Sequence, residues 1–303
     1  MKKLLLPALL LVVLTATAQQ TLQERLGYPK TTKLLIIHAD DLGVAHSQND
    51  ASITALEKGS VTSASMMVPC PWFAEAAAYA VAHPKADMGL HFTLTSEWNF
   101  FKWGPVAGKE TVPRLVNQYG YFYSSVDSVL KSGNAAEVEK ELRAQIERAK
   151  QFGVDITHLD SHMGTLYSNK DFLQVLLKLG REYKVPVMLN RQILNMSGSS
   201  VNEKDVLLDN IYIESPQDYA KGAEAYYTNV LQSLQPGVSL IILHAAHDNE
   251  EIQAVTAGHP DYGAAWRQAD FNFFTSEHCK ILLQQNGIQL ITWREIRDKV
   301  IRK

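Results

Sequence analysis

The stretch that decides the fold is KLLIIHADDLG, residues 33–43, in which an apolar run leads directly into two acids. The run has the composition of a buried strand. Asp40 and Asp41 follow it, and two adjacent carboxylates at the end of a buried strand repel each other and lose hydration. A bound metal ion would stabilise them. The alternative is that one carboxylate caps the next helix while the other faces water.

Similar apolar runs recur along the chain and alternate with amphipathic stretches, the pattern of βα units around a mainly parallel sheet. The predicted strands are residues 33–38, 63–68, 87–94, 156–160, 187–190, 207–213, 239–243 and 288–292. The predicted helices are residues 49–58, 73–83, 135–152, 171–183, 218–234 and 275–285. Eight strands predict an α/β fold, a single-domain (β/α) barrel of the TIM type that can be distorted. Residues 96–125 and 244–265 lack periodicity, and we interpret them as loops over a site.

Composition excludes several classes of protein. The 303 residues are 46% hydrophobic and 20% charged, as in an ordinary globular protein. Twenty-nine basic and 32 acidic side chains give a net charge of -3, so we expect no nucleic-acid partner and no polybasic membrane patch. Cys70 and Cys279 are too few for a disulfide framework; we expect two buried thiols, with a single bridge as the alternative.

The first residues resemble a secretory signal peptide. They begin with MKK, continue with an apolar run over residues 4–14 and end with ATA at residues 16–18. We therefore predict cleavage after Ala18, a mature domain over residues 19–303 and a periplasmic or secreted location. The alternative is an uncleaved anchor. Because the run is shorter than the about 20 residues that span a bilayer, we expect no membrane span after cleavage.

Titratable residues recur at other strand ends. His91 lies late in the third predicted strand, where a satisfied core histidine is the alternative. His158, Asp160 and His162 alternate along residues 158–162, so that they share one side of an extended segment. The alternative for this group is a solvated strand end. His244 directly follows the seventh strand, although an ordinary loop histidine is the alternative there.

These groups share a position, because each stands where the chain leaves the sheet. The carboxyl ends of the strands of a (β/α) barrel open on one face, where catalytic groups from distant parts of the chain meet. Asp and His suit a divalent ion, and a set of three leaves a coordination position for water. Such an ion lowers the pKa of its water and polarises a carbonyl group. The pattern therefore predicts a hydrolytic site.

The sequence resembles the YdjC/ChbG family of carbohydrate deacetylases, relatives of the polysaccharide deacetylases. The resemblance rests on four ordered motifs: HADDLG at 38–43, GSVTSA at 59–64, GLHFTLT at 89–95 and THLDSH at 157–162. It implies that Asp41, His91 and His162 hold one divalent metal ion and that Asp40 is the catalytic base.

Two departures from the family affect the rest of the site. MGT at residues 163–165 stands where members often have further histidines, and LHAAH at 243–247 replaces a Cys-His-Pro. We predict His244 as the general acid, because it directly follows a rigid strand, with His247 as its rival. The candidate substrate-binding residues are His158, Asp160, Trp98, Trp103, Trp266 and Arg267. The tryptophans would stack on sugar rings, with core packing as the alternative.

The expected function is removal of acetyl groups from N-acetylated amino sugars or short oligosaccharides such as chitooligosaccharides. A different metal-dependent hydrolase, acting on another ester, amide or phosphate bond, is one alternative. A non-catalytic carbohydrate-binding barrel is the other. The expected partner is a small carbohydrate, and a homodimer is left open. The expected cofactor is one divalent ion, with Mg²⁺ and Zn²⁺ as the first candidates, although imidazole and carboxylate ligands also suit Mn²⁺, Co²⁺ and Ni²⁺.

Overall fold

The computed structural model describes residues 20–303, so the predicted signal peptide lies outside the described residues. Seven parallel strands form one sheet in the order β4-β3-β2-β1-β6-β5, and β7 pairs with β1. They are β1 Lys33–Leu42, β2 Ser63–Met66, β3 Met88–Phe92, β4 Leu159–Ser161, β5 Asn210–Ile213, β6 Gly237–Leu243 and β7 Ile288–Leu290. Strands and helices alternate along the chain as predicted.

The parallel sheet curves into a half-barrel, which is less regular than an eight-stranded barrel. Residues 187–190, predicted as a strand, lie between β4 and β5 and make only isolated parallel bridges, Leu159 with Val187 and Asn190 with Leu208. Proline at 186 has no N–H to donate to a ladder. Asn190 then caps the next helix through a bond from the Ile193 N–H (2.9 Å), so the extended segment ends after four residues.

Helices cover the sheet. They are α1 Leu22–Leu26, α2 His46–Lys58, α3 Phe73–Ala82, α4 Val126–Ser132, α5 Ala135–Gln151, α6 Lys170–Tyr183, α7 Arg191–Ser197, α8 Pro216–Tyr219, α9 Ala223–Ser233, α10 Glu250–Val255, α11 Ala264–Thr275, α12 Glu277–Gln285 and α13 Trp293–Ile296. Of these helices, α1, α4, α7, α10, α11 and α13 were not predicted. The helix predicted over 218–234 is two helices, because Gly222 adopts a φ of 111° between α8 and α9. The loop predicted over 244–265 contains α10, which Asn249 caps.

The first strand is buried on both faces, as its continuous apolar run predicts. Leu35 and Ile37 belong to the larger core cluster, whereas Leu34 and Ile36 belong to a second cluster inside the barrel. Because side chains alternate along a strand, His38 lies on the same face as Leu34 and Ile36. The strand therefore delivers a polar residue into the barrel directly beneath its two acids.

Two further features follow from the described part of the chain. Cys70 and Cys279 are both buried free thiols. Among residues 20–303, no helix combines the length and the apolar character needed to cross a bilayer.

Candidate metal centre and active site

The backbone at the end of β1 turns both acids toward one site. Ala39 of β1 pairs with Ala64 of β2, and the next pair is Leu42 with Met66. Between these two pairs β1 advances by three residues and β2 by only two. This bulge coincides with a φ of 68° at Asp41, in the left-handed region that non-glycine residues rarely adopt. Consecutive strand residues normally face opposite sides, so the irregularity is what brings the two carboxylates together. Backbone strain of this kind is characteristic of functional sites.

Three donor atoms from three strand ends form a nearly regular triangle. Asp41 Oδ1 lies 3.3 Å from His91 Nε2 and 3.1 Å from His162 Nδ1, and the two ring nitrogens are 3.2 Å apart. Ligand atoms that lie about 2.0–2.2 Å from a divalent ion are roughly 3.0–3.5 Å from one another. The structure thus brings these three predicted ligands together with the spacing that one ion requires, and all three are buried.

The chemistry of the triangle also fits a cation. Asp41 Oδ1 is enclosed and accepts no well-directed hydrogen bond. Burial by itself raises the pKa of Asp41, but His162, His91 and the Arg267 charge overcome it and hold that pKa well below its usual range. Burial lowers the pKa of His162, yet the Glu97 and Asp41 carboxylates raise it to about 9. The site therefore demands positive charge, which a divalent ion supplies.

A layer of buried groups supports the triangle from below. Asp160 Oδ1 is 2.6 Å from His91 Nδ1, the ring nitrogen that points away from the triangle. His38 Nε2 lies between Asp40 Oδ1 at 2.8 Å and Asp160 Oδ2 at 3.1 Å. Burial lowers the pKa of His38, but the two carboxylates reverse the effect and raise it to about 9. At neutral pH His38 is a cation that joins the predicted base to the residue that orients His91.

His158, a predicted substrate-binding residue, lies deeper in the barrel. Its ring stacks on Trp293 with centroids 5.4 Å apart and covers Gly89, where no side chain would fit. Its Nε2 is 3.5 Å from Asp160 Oδ2, and burial lowers its pKa. Both His158 and Asp160 are at most 1% exposed. The structure therefore places these two residues beneath the triangle, within the supporting layer.

Arg267 lies at the metal centre. Its Nη2 donates to Asp41 Oδ2 at 3.0 Å, and its Nε donates to the Tyr262 carbonyl at 2.7 Å. The guanidinium lies over the Trp98 ring, 5.5 Å from its centroid. Because Arg267 bonds to Oδ2, Oδ1 is the Asp41 oxygen that would face an ion in the triangle. A single oxygen ligand keeps further coordination positions open.

The three predicted sugar-binding tryptophans offer little ring surface, since each is 2–3% exposed. Trp266 lies between Tyr219 and Tyr262, with ring centroids 4.3 Å from each. Trp103 donates its indole N–H to the Thr95 carbonyl at 2.8 Å. In this structure these rings pack as core residues, the alternative interpretation of the aromatic cluster.

The two candidate acids have different surroundings. The His244 backbone N–H donates to Asp270 Oδ2 (2.9 Å), and burial lowers the pKa of the ring to about 4, although the nearby Asp41 carboxylate opposes the shift. His247 Nε2 instead pairs with Asp50 on α2 at 3.0 Å. The structure thus places His244 near the metal centre and directs His247 to the outer helices.

Two residues of the site were missed by the sequence analysis. His38 belongs to the first motif, and its position two residues before Asp40 on an inward-facing strand was the available signal. Glu97, whose Oε2 is 3.0 Å from His162 Nε2, lies in the aperiodic segment after β3. No spacing rule connects a loop glutamate with a histidine 65 positions later.

Several known proteins are similar to this chain. A carbohydrate deacetylase of Thermus thermophilus is 29% identical over 289 residues, which cover 91% of this chain and 98% of that protein. A carbohydrate deacetylase of Enterococcus faecalis is 34% identical over 199 residues, 65% of this chain and 69% of that protein. A crystal structure from Enterococcus faecalis, described as that of a candidate cellobiose-phosphate cleavage protein, superposes with a TM-score of 0.73 at 27% identity and covers 88% of this chain and 99% of that one.

The family profile described as YdjC-like protein matches residues 34–285, from the first apolar residues of β1 to the end of α12. This range includes every residue of the metal centre. The match also agrees with the resemblance that the four sequence motifs indicate. The chain therefore belongs to the YdjC-like protein family, several of whose relatives are named carbohydrate deacetylases.

Proposed function

We propose that this chain is a secreted or periplasmic, metal-dependent deacetylase of N-acetylated amino sugars or short oligosaccharides, such as chitooligosaccharides. The observation on which the proposal depends is the triangle of Asp41 Oδ1, His91 Nε2 and His162 Nδ1, with Asp40 beside it. The names of the relatives support the substrate class. The signal-like residues 1–18 support the location.

Each residue near the triangle has a role in this proposal. A divalent ion held by the triangle would polarise the acetyl carbonyl and lower the pKa of the attacking water. Asp40 accepts the proton of that water. His38 Nε2 pairs with Asp40 Oδ1 at 2.8 Å, and the Ser65 hydroxyl donates to the same oxygen at 3.1 Å, so the two hold the direction of the carboxylate.

The departing amine needs a proton, and His244 is the proposed donor. Because burial lowers the pKa of His244 to about 4, its ring is neutral at pH 7 and must first take up a proton. The proton that Asp40 removes from water is the available source. We therefore propose that His244 acts after Asp40 in the same turnover, when the tetrahedral intermediate collapses.

The test is to incubate metal-loaded mature protein with N-acetylated mono- and oligosaccharides and to measure released acetate. An acetyl ester and a phosphate ester in the same panel separate deacetylation from the other hydrolase reactions. Asp40→Asn should keep the metal ion and lose most turnover, about 10²–10⁴-fold for a general base. His91→Ala and His162→Ala should lose metal and activity together. Stoichiometric metal in both histidine variants, or full turnover in Asp40→Asn, would contradict the assignment.

A further inference from the structure

Glu97 follows β3 by five residues and contacts the metal centre from its loop side. Its Oε2 lies 3.0 Å from Nε2 of His162, and its side chain is 13% exposed. We propose that Glu97 is a positioning residue, which holds His162 in the tautomer that presents Nδ1 to the metal ion. The inference rests on the proposed metal centre and adds to it a residue from outside the four motifs.

The two nitrogens of the His162 ring face different partners. A histidine binds a metal ion only through a nitrogen that has no proton, and a neutral ring carries its single proton on the other nitrogen. Nδ1 of His162 belongs to the triangle with Asp41 and His91. The proton must therefore be on Nε2. That nitrogen is buried and needs an acceptor, and Glu97 provides one.

His91 is arranged in the same way with its nitrogens exchanged. It faces the triangle through Nε2, and its Nδ1 lies 2.6 Å from Asp160 Oδ1. Each histidine therefore has a carboxylate on the nitrogen that points away from the ion. Partners of this kind fix the ring and raise the basicity of the ligand nitrogen. Glu97 contacts the outer nitrogen of His162, so it does not occupy a ligand position itself.

The residues just before Glu97 are bonded to Lys102 and Trp103, so the loop segment that carries the carboxylate is held at its two ends. The Trp103 indole N–H donates to the Thr95 carbonyl at 2.8 Å, and the Trp103 backbone N–H donates to Ser96 Oγ at 3.1 Å. Lys102 Nζ donates to the Ser96 carbonyl at 2.7 Å. The role of buried Trp103 is therefore to anchor the segment that delivers Glu97.

The chain provides a matched control. Glu75 Oε1 is 2.8 Å from His46 Nδ1, a glutamate–histidine bond of similar length that is exposed and belongs to α2 and α3. Glu75→Gln weakens a glutamate–histidine bond that does not contact the triangle, and glutamine keeps an oxygen for the bond that Glu75 Oε2 accepts from Asn49 Nδ2 at 2.8 Å. Glu97→Gln keeps an oxygen that accepts from Nε2 but removes the charge, whereas Glu97→Ala removes the acceptor entirely.

The experiment measures the affinity for Co²⁺ alone by competition with a chromophoric chelator, together with the absorption spectrum of the bound ion and the melting temperature of the metal-free protein. We expect Glu97→Ala to bind Co²⁺ about 10–100-fold more weakly and to change the spectrum. Glu97→Gln should lie between Glu97→Ala and the wild type. Glu75→Gln should match the wild type in Co²⁺ affinity. Metal-free Glu97→Gln should melt near the wild type, and metal-free Glu97→Ala should melt lower but cooperatively, because the His162 ring loses its buried acceptor.

Affinities of Glu97→Ala and Glu97→Gln equal to that of the wild type would overturn the positioning role and leave the proposed function intact. A wild-type protein that binds Co²⁺ with the expected variant series, but releases no acetate, would overturn the function and keep the positioning role. A wild-type protein that binds no divalent ion would overturn both.

Discussion

Gly89→Ala tests whether the barrel beneath the metal centre is as closely packed as the structure indicates. A Cβ atom at residue 89 would lie 2.4 Å from both Cε1 and Nε2 of the His158 ring and 2.6 Å from its Cδ2. Ordinary contacts are about 3.5–4.0 Å, so the ring must retreat by roughly 1 Å. It is blocked by Trp293, stacked at 5.4 Å, and by His38, whose ring centroid is 4.9 Å away.

The expected cost follows from these contacts. Overpacking of a core costs typically about 1–3 kcal/mol, and buried neighbours on both sides of the ring place this substitution near the upper end. In an ordinary strand conformation alanine by itself would be favoured over glycine by roughly 0.5–1 kcal/mol, so the net loss is about 2 kcal/mol. The affinity for a divalent ion should fall as well, because His158 contacts Asp160, which orients His91.

Urea denaturation in the presence of a chelator measures the free energy of unfolding, and a double-mutant cycle isolates the clash. His158→Ala removes the ring that the new Cβ meets, so Gly89→Ala should stabilise that background by roughly 0.5–1 kcal/mol. The coupling energy is then the cost of the clash itself, about 3 kcal/mol. Equal costs in the two backgrounds, or a Gly89→Ala variant within about 0.5 kcal/mol of the wild type, would refute the reasoning.

Three further predictions concern titratable groups. Burial raises the pKa of Glu214 to about 8, so the free energy of unfolding of the wild type should fall relative to that of Glu214→Gln as pH rises from about 4.5 to 8. Urea denaturation at pH 5 and pH 8 measures both free energies. An equal difference between the two proteins at both pH values would contradict the prediction. His244→Ala should slow amide substrates strongly and an activated acetyl ester far less, whereas His247→Ala should affect neither; a selective defect in His247→Ala alone would reverse the assignment. Co²⁺ affinity should rise with pH through about 9, the pKa of His162, because the ion displaces protons from His162 and from His91, whose pKa is also raised. Calorimetry in buffers of different ionisation enthalpy would show the released protons, and a pH-independent affinity would rule out the displacement.

The sequence predicted which residues stand at the strand ends, but it did not predict which side chains contact them. Asp41, His91 and His162 could be placed together because parallel strands end on one face of the barrel, and the structure brings them within 3.3 Å of one another. Their assignment as ligands stays a prediction. Which ring nitrogen faces the ion depends on Glu97 and Asp160, and such tertiary contacts have no periodic signal.

The remaining differences have local physical causes. A single proline at 186 and a cap at Asn190 leave too little backbone for the fifth predicted strand to form a ladder. Trp266 was predicted to stack on sugar, whereas Tyr219 and Tyr262 stack on its ring in the structure. The contact with Tyr219 joins distant parts of the chain, so the sequence does not show it. Glycine at 222 divides a helix that the apolar pattern presents as continuous.

The charges around the triangle explain why this cluster is stable in a barrel core. Four carboxylates meet there: Asp40, Asp41, Glu97 and Asp160. His38 and Arg267 neutralise two of them, since the pKa of His38 is about 9 and the guanidinium is permanently charged. Two negative charges are left, the charge that one divalent ion balances. Without an ion, the nearby carboxylates raise the pKa values of His91 and His162 against the effect of burial, so protons on these two rings supply positive charge to the site.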